Sequence, residues 1–382
     1  MEREITLKVY YYSNAVKEDS LKKIYKKGIL PGLQAQVFNN RILDGLSKND
    51  VELLADTVIP TSKGLIDETF LTIPDESYYH YHKIINIPGL KDIIIFISTY
   101  FTTRKRLNED AVCVGDALCC VSNLAASLAA KHKHKPYIAI LTDIPELFEN
   151  NSLYFKLVNG VMKNASHYVF LTPPMEKRIN TEHKPYIIME GACTPVELTE
   201  QPRNNVFMYT GGIDALNGVS KLVESFLSLN SDHELHLYGE GDYQDELAEL
   251  CKEHCNIKYF GVFPHEEIVK RMQSVKFLVT ARTMNDPMVP YSFPSKIFDY
   301  LGSGTPCIST PLPCLSDEFR SHMSLFDGEE VEHIKEGLQR MLDSDYSVLL
   351  DKAKNAYDFV TKEKNNVAQA KRIIELAGVK HD

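Results

Sequence analysis

With 382 residues, the chain is long enough for two domains of about 150–200 residues each, and its 44% hydrophobic and 25% charged residues are ordinary for a globular protein. The net charge of −10 argues against a nucleic-acid-binding protein, and no apolar run reaches the roughly 18 residues that a membrane span needs. The eight cysteines are scattered and the first residues, MEREITLKVYYYSN, do not resemble a signal peptide, so we expect a cytoplasmic protein with reduced cysteines.

The first half of the chain predicts strands and helices in alternation. Residues 1–14 have an alternating strand pattern, and LQAQVFNNRILDGL, beginning at residue 33, predicts a helix. From about residue 90 we predict two helices, near 115–131 and 152–163, and three apolar strands, DIIIFIST (92–99), PYIAILTD (136–143) and HYVFLT (167–172). This order is typical of a parallel sheet.

The pattern restarts after PYIIMEGACTPVELTEQPRN (185–204), which predicts a strand followed by an interdomain connector. Further helices are predicted at 215–229, 243–255 and 266–275, and further strands at 205–212, 233–242, 256–262, 276–282 and 305–310. We therefore predict an α/β protein with domains at 1–198 and 199–358, and a closing helix, 359–382, that packs back toward the first domain.

Charge is divided unevenly between the two halves. Residues 1–195 carry 23 Lys and Arg against 22 Asp and Glu, a net charge of +1, whereas residues 196–382 carry 19 against 30, a net charge of −11. The basic residues of the first part form three clusters, KKIYKK (22–27), RKR (104–106) and KHKHK (131–135). They are either solvated helix ends or a basic face that meets anionic lipid or a lipid-linked diphosphate.

The stretch YSFPSKIFDYLGSGTPCIST (291–310) predicts a helix followed by a buried strand. Pro294 suits a first helical turn, Ser292 is a candidate cap, and Gly302 and Gly304 end the helix. Free N–H groups beside Lys296 predict an anion site.

Glycines recur in the loops that follow the predicted strands of the second domain. Ligands of open parallel sheets bind at this edge, and glycine permits a close approach of the backbone, although each residue singly could be a turn glycine. Neither the dinucleotide-binding fingerprint nor a Walker A motif is present. The loops therefore predict a nucleotide site that differs from both of those modes. Its glycines are Gly211, Gly212, Gly218, Gly239, Gly241 and Gly261.

Four motifs follow one another between residues 205 and 320: YTGG, HLYGEGD, NIKYFGV and SFPSKIFDYLGSGTPCIST. In order and content they resemble the nucleotide-sugar-binding domain of glycosyltransferase family 4. PGLQAQVFNN (31–40) and LTDIP (141–145) resemble the family's first domain more loosely. The resemblance implies the GT-B fold, in which two Rossmann-like, doubly wound domains face each other across a cleft. Within the family, the chain is most similar to bacterial transferases of capsular and exopolysaccharide assembly.

The resemblance also implies the donor site. The diphosphate would meet the backbone around residues 291–295, Asp299 would bind the ribose, and glycine loops of both domains would approach the donor. The implied donor-binding residues are Gly32, Gly211, Gly212, Gly239, Gly241, Val262, Tyr291, Ser292, Phe293, Pro294, Ser295 and Asp299. We expect no metal and no other cofactor, because helix dipoles and cations stabilise the leaving diphosphate in such enzymes.

Three positions depart from the family pattern. The first Glu of the usual Glu-x7-Glu pair would fall on Tyr291, and the second has become Asp299. The usual Arg-x4-Lys cations would fall on Gly212 and Asn217. Arg282 and Lys296 are the candidate replacements, with an ordinary structural charge as the alternative for each. In the first domain, Asp143 is a candidate active-site residue, with helix capping as the alternative.

The activity implied by the resemblance is retaining transfer of a sugar from a nucleoside-diphosphate sugar to a hydroxyl of a saccharide or polyprenyl-linked acceptor. The basic clusters add a place at the inner face of the cell membrane to the expected cytoplasmic location. A homo-oligomer or a partner transferase is a further expected association. The missing Arg and Lys motivate a rival hypothesis, a catalytically weak GT-B subunit that binds glycan or supports a partner transferase. A sugar-nucleotide epimerase is a third hypothesis, but the sequence does not indicate which residues would be the acidic and His catalytic groups of such an enzyme.

Overall fold

The computed structural model describes residues 6–17, 20, 33–61, 68–147, 152–199 and 201–378, which form two compact units. The first unit extends to Ala192 and takes up the chain again at Asn366. The second unit comprises Cys193–Asn365 together with Thr172–Pro174. The chain thus crosses between the units at 192/193 and at 365/366, whereas the sequence suggests boundaries at 198 and 358.

The first unit is built on a parallel sheet of seven strands in the order β4-β2-β1-β6-β7-β8-β9. A separate antiparallel ribbon joins β3 to β5. Six of the seven residues of β1 are buried, as expected for a strand covered on both faces. The strands are β1 (Leu7–Ser13), β2 (Val51–Thr57), β3 (Phe70–Leu71), β4 (Tyr79–Tyr81), β5 (Ile84–Ile85), β6 (Ala111–Asp116), β7 (Tyr137–Leu141), β8 (His167–Phe170) and β9 (Tyr186–Ile188).

Helices connect these strands, as the alternating sequence pattern predicts. Small residues let α3 approach its neighbours closely, since four of its alanines are fully buried, and it packs on both α2 and α4. The helices near 115–131 and 152–163 are confirmed as α3 and α4, with shifts of a few residues. The helices are α1 (Leu33–Ser47), α2 (Leu90–Arg106), α3 (Cys120–His132), α4 (Ser152–Asn164) and α5 (Pro173–Ile179).

The prediction of a strand at DIIIFIST was wrong, because residues 92–99 belong to α2. The strand that precedes α3 is instead β6, whose six residues are all buried. A run of isoleucines favours a strand locally, but α2 buries Ile95, Thr99 and Thr103, which lie four residues apart on one helical face. Packing of this face has overridden the local preference.

The second unit contains a six-stranded sheet in the order β12-β11-β10-β13-β14-β15, and all neighbouring strands are parallel. Along β10, Phe207 and Tyr209 enter one hydrophobic core and Met208 enters the other, so the sheet is covered on both faces. The five strands predicted for this domain are confirmed. The strands are β10 (Asn204–Thr210), β11 (Glu234–Tyr238), β12 (Ile257–Tyr259), β13 (Val275–Thr280), β14 (Cys307–Ser309) and β15 (Ser324–Leu325).

Seven helices of the described chain surround this sheet. In α6 the buried residues Val219, Leu222, Val223 and Phe226 have the spacing of one helical face, which packs on the sheet. No helix in the described ranges combines the length and apolar character needed to cross a bilayer. The seven are α6 (Val219–Leu227), α7 (Gln244–Glu253), α8 (His265–Gln273), α9 (Lys296–Gly302), α10 (Asp317–Ser321), α11 (Val331–Asp343) and α12 (Tyr346–Asp358).

The last helix returns to the first unit. A π-helical turn, Phe359–Glu363, separates α12 from α13 (Asn366–Leu376), and α13 packs on α1. Gly45 permits this contact, because a Cβ added there would lie 2.1 Å from the carbonyl oxygen of Asn366. The side chain of Asn366 also donates to Asp44 Oδ2 at 2.5 Å.

We predict that Gly45→Ala lowers the free energy of unfolding by about 1–3 kcal/mol, because the added methyl group forces α1 and α13 apart. Urea unfolding followed by circular dichroism would measure the change. Gln34→Ala, at an exposed position of α1, is the control. Equal stability of the two variants would contradict this account of the helix contact.

Candidate anion site in the second unit

The loops that follow β10, β11 and β12 are joined through their backbones. Gly211 N–H donates to Tyr238 O at 2.9 Å, and Gly239 N–H donates to Gly261 O at 2.8 Å. Gly239 has a φ of +135°, and a Cβ there would lie 1.8 Å from the carbonyl oxygen of Gly211. Position 239 therefore requires glycine, as the sequence pattern suggests.

Lys296, the first residue of α9, extends into the loop after β10. Its Nζ donates to the hydroxyl of Tyr209 at 3.0 Å and to Asn217 Oδ1 at 3.1 Å. The same ammonium lies 4.4 Å from the centroid of the Tyr209 ring. A Cβ at Gly211 would lie 2.5 Å from Nζ, so this glycine leaves the space that the ammonium occupies.

The rest of the β10 loop is fixed by side-chain hydrogen bonds and close backbone contacts. Asp214 Oδ1 accepts from the backbone N–H of Asn217 at 2.8 Å and from its Nδ2 at 2.9 Å. A Cβ at Gly212 would lie 2.4 Å from Asp214 Oδ2, and one at Gly241 would lie 2.3 Å from Ile213 O. The glycines at this edge of the sheet therefore allow the loops to pack closely together, with the ammonium of Lys296 among them.

A second cation, Arg282, follows the end of β13. The residue is only 8% exposed, and its Nε is buried without a hydrogen-bond partner in the described structure. Burial, and then the positive charge of Arg282, lower the pKa of Lys296 to about 7, while Asp214 offsets part of the effect. Two positive groups that repel each other form a place where an anion is stabilised.

Glu329 holds the loop that follows Arg282. Its carboxylate accepts from Thr283 Oγ1 at 2.9 Å and also from Met284 N–H and Asn285 Nδ2. Burial alone would raise the pKa of Glu329, but these hydrogen bonds lower it below its ordinary value. The carboxylate therefore stays charged and positions the loop. The sequence contained no motif that pointed to this residue.

The prediction that Ser292 caps α9 was wrong. The helix begins at Lys296, and Ser295 occupies the cap position without a side-chain cap bond. Ser292 instead follows a 3₁₀ turn that ends at Tyr291, and its N–H donates to Val289 O at 3.4 Å. The conformation is explained by the proline that follows the buried Phe293, because the residue before a proline avoids the helical region.

Asp299 is half-buried on α9, and its Oδ2 lies 3.2 Å from Nε2 of His265. His265, at the start of α8, is an exposed neighbour that the sequence did not indicate. Val262, in the loop after β12, is 65% exposed. This edge of the unit thus combines a carboxylate that can accept hydrogen bonds from hydroxyl groups with an open apolar side chain.

The remaining predicted residues belong to the first unit. Asp143 follows β7 and is half-buried, and burial together with the charge of Asp116 raises its pKa to about 6. Asp116 is buried and accepts from Asn39 Nδ2 at 2.9 Å. Gly32 lies outside the described residues. Among the residues that are described, no group of three or more His, Cys, Asp or Glu side chains could hold a metal ion.

The lowered pKa of Lys296 predicts a pH-dependent stability. Between about pH 7 and its ordinary value of 10.5, the unfolded chain binds a proton that the folded chain lacks, so wild-type stability rises with pH. We therefore expect the free energy of unfolding of Lys296→Met, minus that of wild type, to be highest near pH 6 and to fall by about 1–3 kcal/mol toward pH 9. Urea unfolding at several pH values, with Lys354→Met on α12 as control, would measure this, and parallel profiles would contradict it.

The chain is similar to known proteins in the sequence of its second unit and in its fold. Residues 195–366 match the family model of glycosyl transferases group 1. A comparison with curated protein sequences finds no match. Among solved structures, Anabaena Alr3699/HepE in complex with UDP is 12% identical, with a TM-score of 0.68 over 98% of this chain and 100% of that one.

Two further structures have similar folds. The lipopolysaccharide outer core galactosyltransferase WaaB is 13% identical, with a TM-score of 0.63 over 97% of this chain and 99% of that one. The sucrose-phosphate synthase of Thermosynechococcus elongatus is also 13% identical, with a TM-score of 0.64 over 97% and 98%. The predicted fold of two Rossmann-like units is confirmed, and the second unit is a domain of the glycosyl transferases group 1 family, in a chain with the GT-B fold.

Proposed function

We propose that the chain is a retaining glycosyltransferase that moves a sugar from a nucleoside-diphosphate sugar to a hydroxyl group of a saccharide or lipid-linked acceptor, in bacterial polysaccharide or glycoconjugate assembly. The observation that carries this proposal is the pair of cations, Arg282 and Lys296, at the carboxyl ends of parallel strands. The HepE complexes with UDP and with UDP-glucose support a donor of this class.

A diphosphate fits the electrostatics of the pair. The buried Nε of Arg282 has no hydrogen-bond partner among the described residues, and Lys296 is held at a pKa of about 7. An anion between them would accept hydrogen bonds from the guanidinium and would favour the protonated form of the lysine. Lys296 also lies against Asn217, the position on which the family resemblance places the usual Lys, and this supports its role as the replacement.

The other donor groups follow from the same placement. The diphosphate would lie along the backbone of residues 291–295 and the glycine loops, and Asp299 would accept hydrogen bonds from the ribose hydroxyls. Val262 would supply an apolar surface for the base. These assignments rest on the residues that the second unit gathers at one edge of its sheet.

In the proposed reaction, the bond between the sugar C1 and the donor oxygen breaks and its electron pair remains on the nucleoside diphosphate. The acceptor oxygen bonds to C1 on the same face, and its proton goes to an oxygen of the leaving phosphate. Arg282 and Lys296 stabilise the charge that grows on this phosphate, so we propose that no metal is needed. Asp143, whose raised pKa keeps it near its titration range at neutral pH, is proposed to contact the acceptor in the first unit.

We predict that Lys296→Ala and Arg282→Ala each lower turnover about 10²–10³-fold and weaken donor binding less, because the phosphate charge is larger in the transition state than in the bound donor. Steady-state kinetics and calorimetric titration with UDP-glucose and other sugar nucleotides would separate the two effects. Arg340→Ala, at an exposed arginine of α11, is the control. Wild-type turnover in both variants would show that Arg282 and Lys296 do not stabilise the leaving phosphate.

The alternative is a catalytically weak GT-B subunit that binds glycan or supports a partner transferase. The observation that favours it is the replacement of the usual Arg-x4-Lys pair by Gly212 and Asn217. The same experiment distinguishes the two functions. A weak subunit binds donor without measurable transfer or hydrolysis, and neither substitution changes that result.

We predict that Asp299→Ala weakens donor binding by about 1.5–3 kcal/mol, because the ribose loses hydrogen bonds to a charged acceptor. Calorimetric titration of UDP with this variant gives the loss. Asp351→Ala, at an exposed aspartate of α12, should bind as wild type does. An unchanged affinity of Asp299→Ala would remove this residue from the donor site.

We also propose that the protein meets an anionic membrane surface through basic clusters of the first unit, RKR (104–106) and KHKHK (131–135). Such a contact would place the enzyme beside a lipid-linked acceptor. The cluster KKIYKK (22–27) lies outside the described residues.

A further inference from the structure

Helix α2 exposes four large apolar side chains, which we call the apolar stripe. Their exposed fractions are 43% for Leu90, 58% for Ile93, 52% for Ile97 and 63% for Phe101. No other helix in the described ranges exposes four large hydrophobic side chains.

In the described chain, 14 large hydrophobic residues are exposed, and four of them lie on α2. An exposed apolar group of this size on one element marks an interaction surface rather than ordinary surface variation.

The stripe lies on the face of α2 that points away from the protein. At 100° per residue, its four members fall within an arc of about 80°, and the buried residues Ile95, Thr99 and Thr103 occupy the opposite arc. From Leu90 to Phe101 the stripe is about 16 Å long. The isoleucine run that suggests a strand in the sequence is therefore divided between an inner and an outer helical face.

Positive charge surrounds the C-terminal end of the stripe. Arg104 and Lys105, in the last turn of α2, are exposed. The end of α3 brings the exposed Lys131 and Lys133 to the same region, because the hydroxyl of Tyr100 on α2 bonds to Nδ1 of the neighbouring His132 at 2.8 Å.

One exposed acid, Glu109, follows the helix, and its backbone carbonyl accepts from Lys135 Nζ at 3.1 Å. The exposed Glu182 lies near Lys131. The four cations Arg104, Lys105, Lys131 and Lys133 still outnumber these two acids. An apolar face bordered by Lys and Arg is the composition of a helix that lies in the interface of an anionic bilayer.

We propose that the apolar stripe of α2 inserts into the surface of an anionic lipid bilayer, with Arg104, Lys105, Lys131 and Lys133 at the lipid headgroups. The proposal deepens the membrane contact given under Proposed function and rests on it. Charge complementarity favours a bilayer as the partner of the stripe, because an anionic bilayer offers negative headgroups to the cations and an apolar interior to the stripe.

The chain contains no tryptophan, so a single introduced one reports on the stripe directly. We expect the emission of Phe101→Trp to shift to shorter wavelength when vesicles of phosphatidylcholine with phosphatidylglycerol are added. Val348→Trp, at an exposed position of α12, is the control and should show no shift. A Phe101→Trp spectrum that stays unchanged with anionic vesicles would overturn the proposal.

Co-sedimentation with the same vesicles tests the energetics. We expect the triple variant Ile93→Ser, Ile97→Ser, Phe101→Ser to lower the partition coefficient about tenfold or more, and Val348→Ser to leave it unchanged. Arg104→Glu with Lys105→Glu should weaken binding at low salt and lose its effect at high salt, because salt screens exposed charges beyond about 10 Å at 0.1 M. Wild-type partitioning of both variants would overturn the proposal.

Two controls separate this inference from the proposed transferase function. Circular dichroism and UDP titration should show that the stripe variants fold and bind donor as wild type does. A wild-type protein that binds vesicles but no sugar nucleotide contradicts the transferase and leaves the stripe supported. A wild-type dimer that the triple variant converts to a monomer would instead identify the stripe as a contact between two copies and overturn the membrane proposal.

Discussion

The repulsion between Arg282 and Lys296 is the interaction on which the candidate site depends. Burial already opposes the charge on Lys296, the guanidinium of Arg282 opposes it further, and Asp214 offsets only part of this effect. The charged form of Lys296 is therefore unfavourable by itself, and an anion bound beside it would make that form favourable. In the proposed reaction, such preorganised charge would need no reorganisation when the leaving group becomes negative.

Backbone geometry makes this arrangement possible. Parallel strands end at one edge of the sheet, so the loops after β10 and β13 bring together groups that lie far apart in the sequence. Glycine at 211 leaves space for the ammonium of Lys296, and glycine at 239 permits the contact between two loops. Glu329 then holds the loop beside Arg282 from a third direction. Each cation is therefore positioned by parts of the chain that do not themselves carry the charge.

The sequence predicted the architecture of the two units better than it predicted single helices and caps. The alternation of strands and helices predicted two parallel α/β units, and the ordered motifs of the second half pointed to the family whose model residues 195–366 match. The role of Lys296 in a donor site stays a prediction. The strand predicted at DIIIFIST failed because a row of isoleucines is compatible with either conformation, and only its neighbours decide which face is buried. The cap predicted at Ser292 failed because a short turn before Pro294 delays the helix.

The sequence by itself determined the class of fold and pointed to the edge of the sheet that carries the candidate site, since periodicity and loop glycines are local properties of the chain. The tertiary structure decided which charges meet. Contacts such as Lys296 with Asn217, His265 with Asp299 and Glu329 with the loop after β13 join residues from separate elements, and no local pattern encodes them. The outward face of α2 was decided in the same way, because burial of one side of a helix leaves the other side exposed only after the sheet and the neighbouring helix have packed.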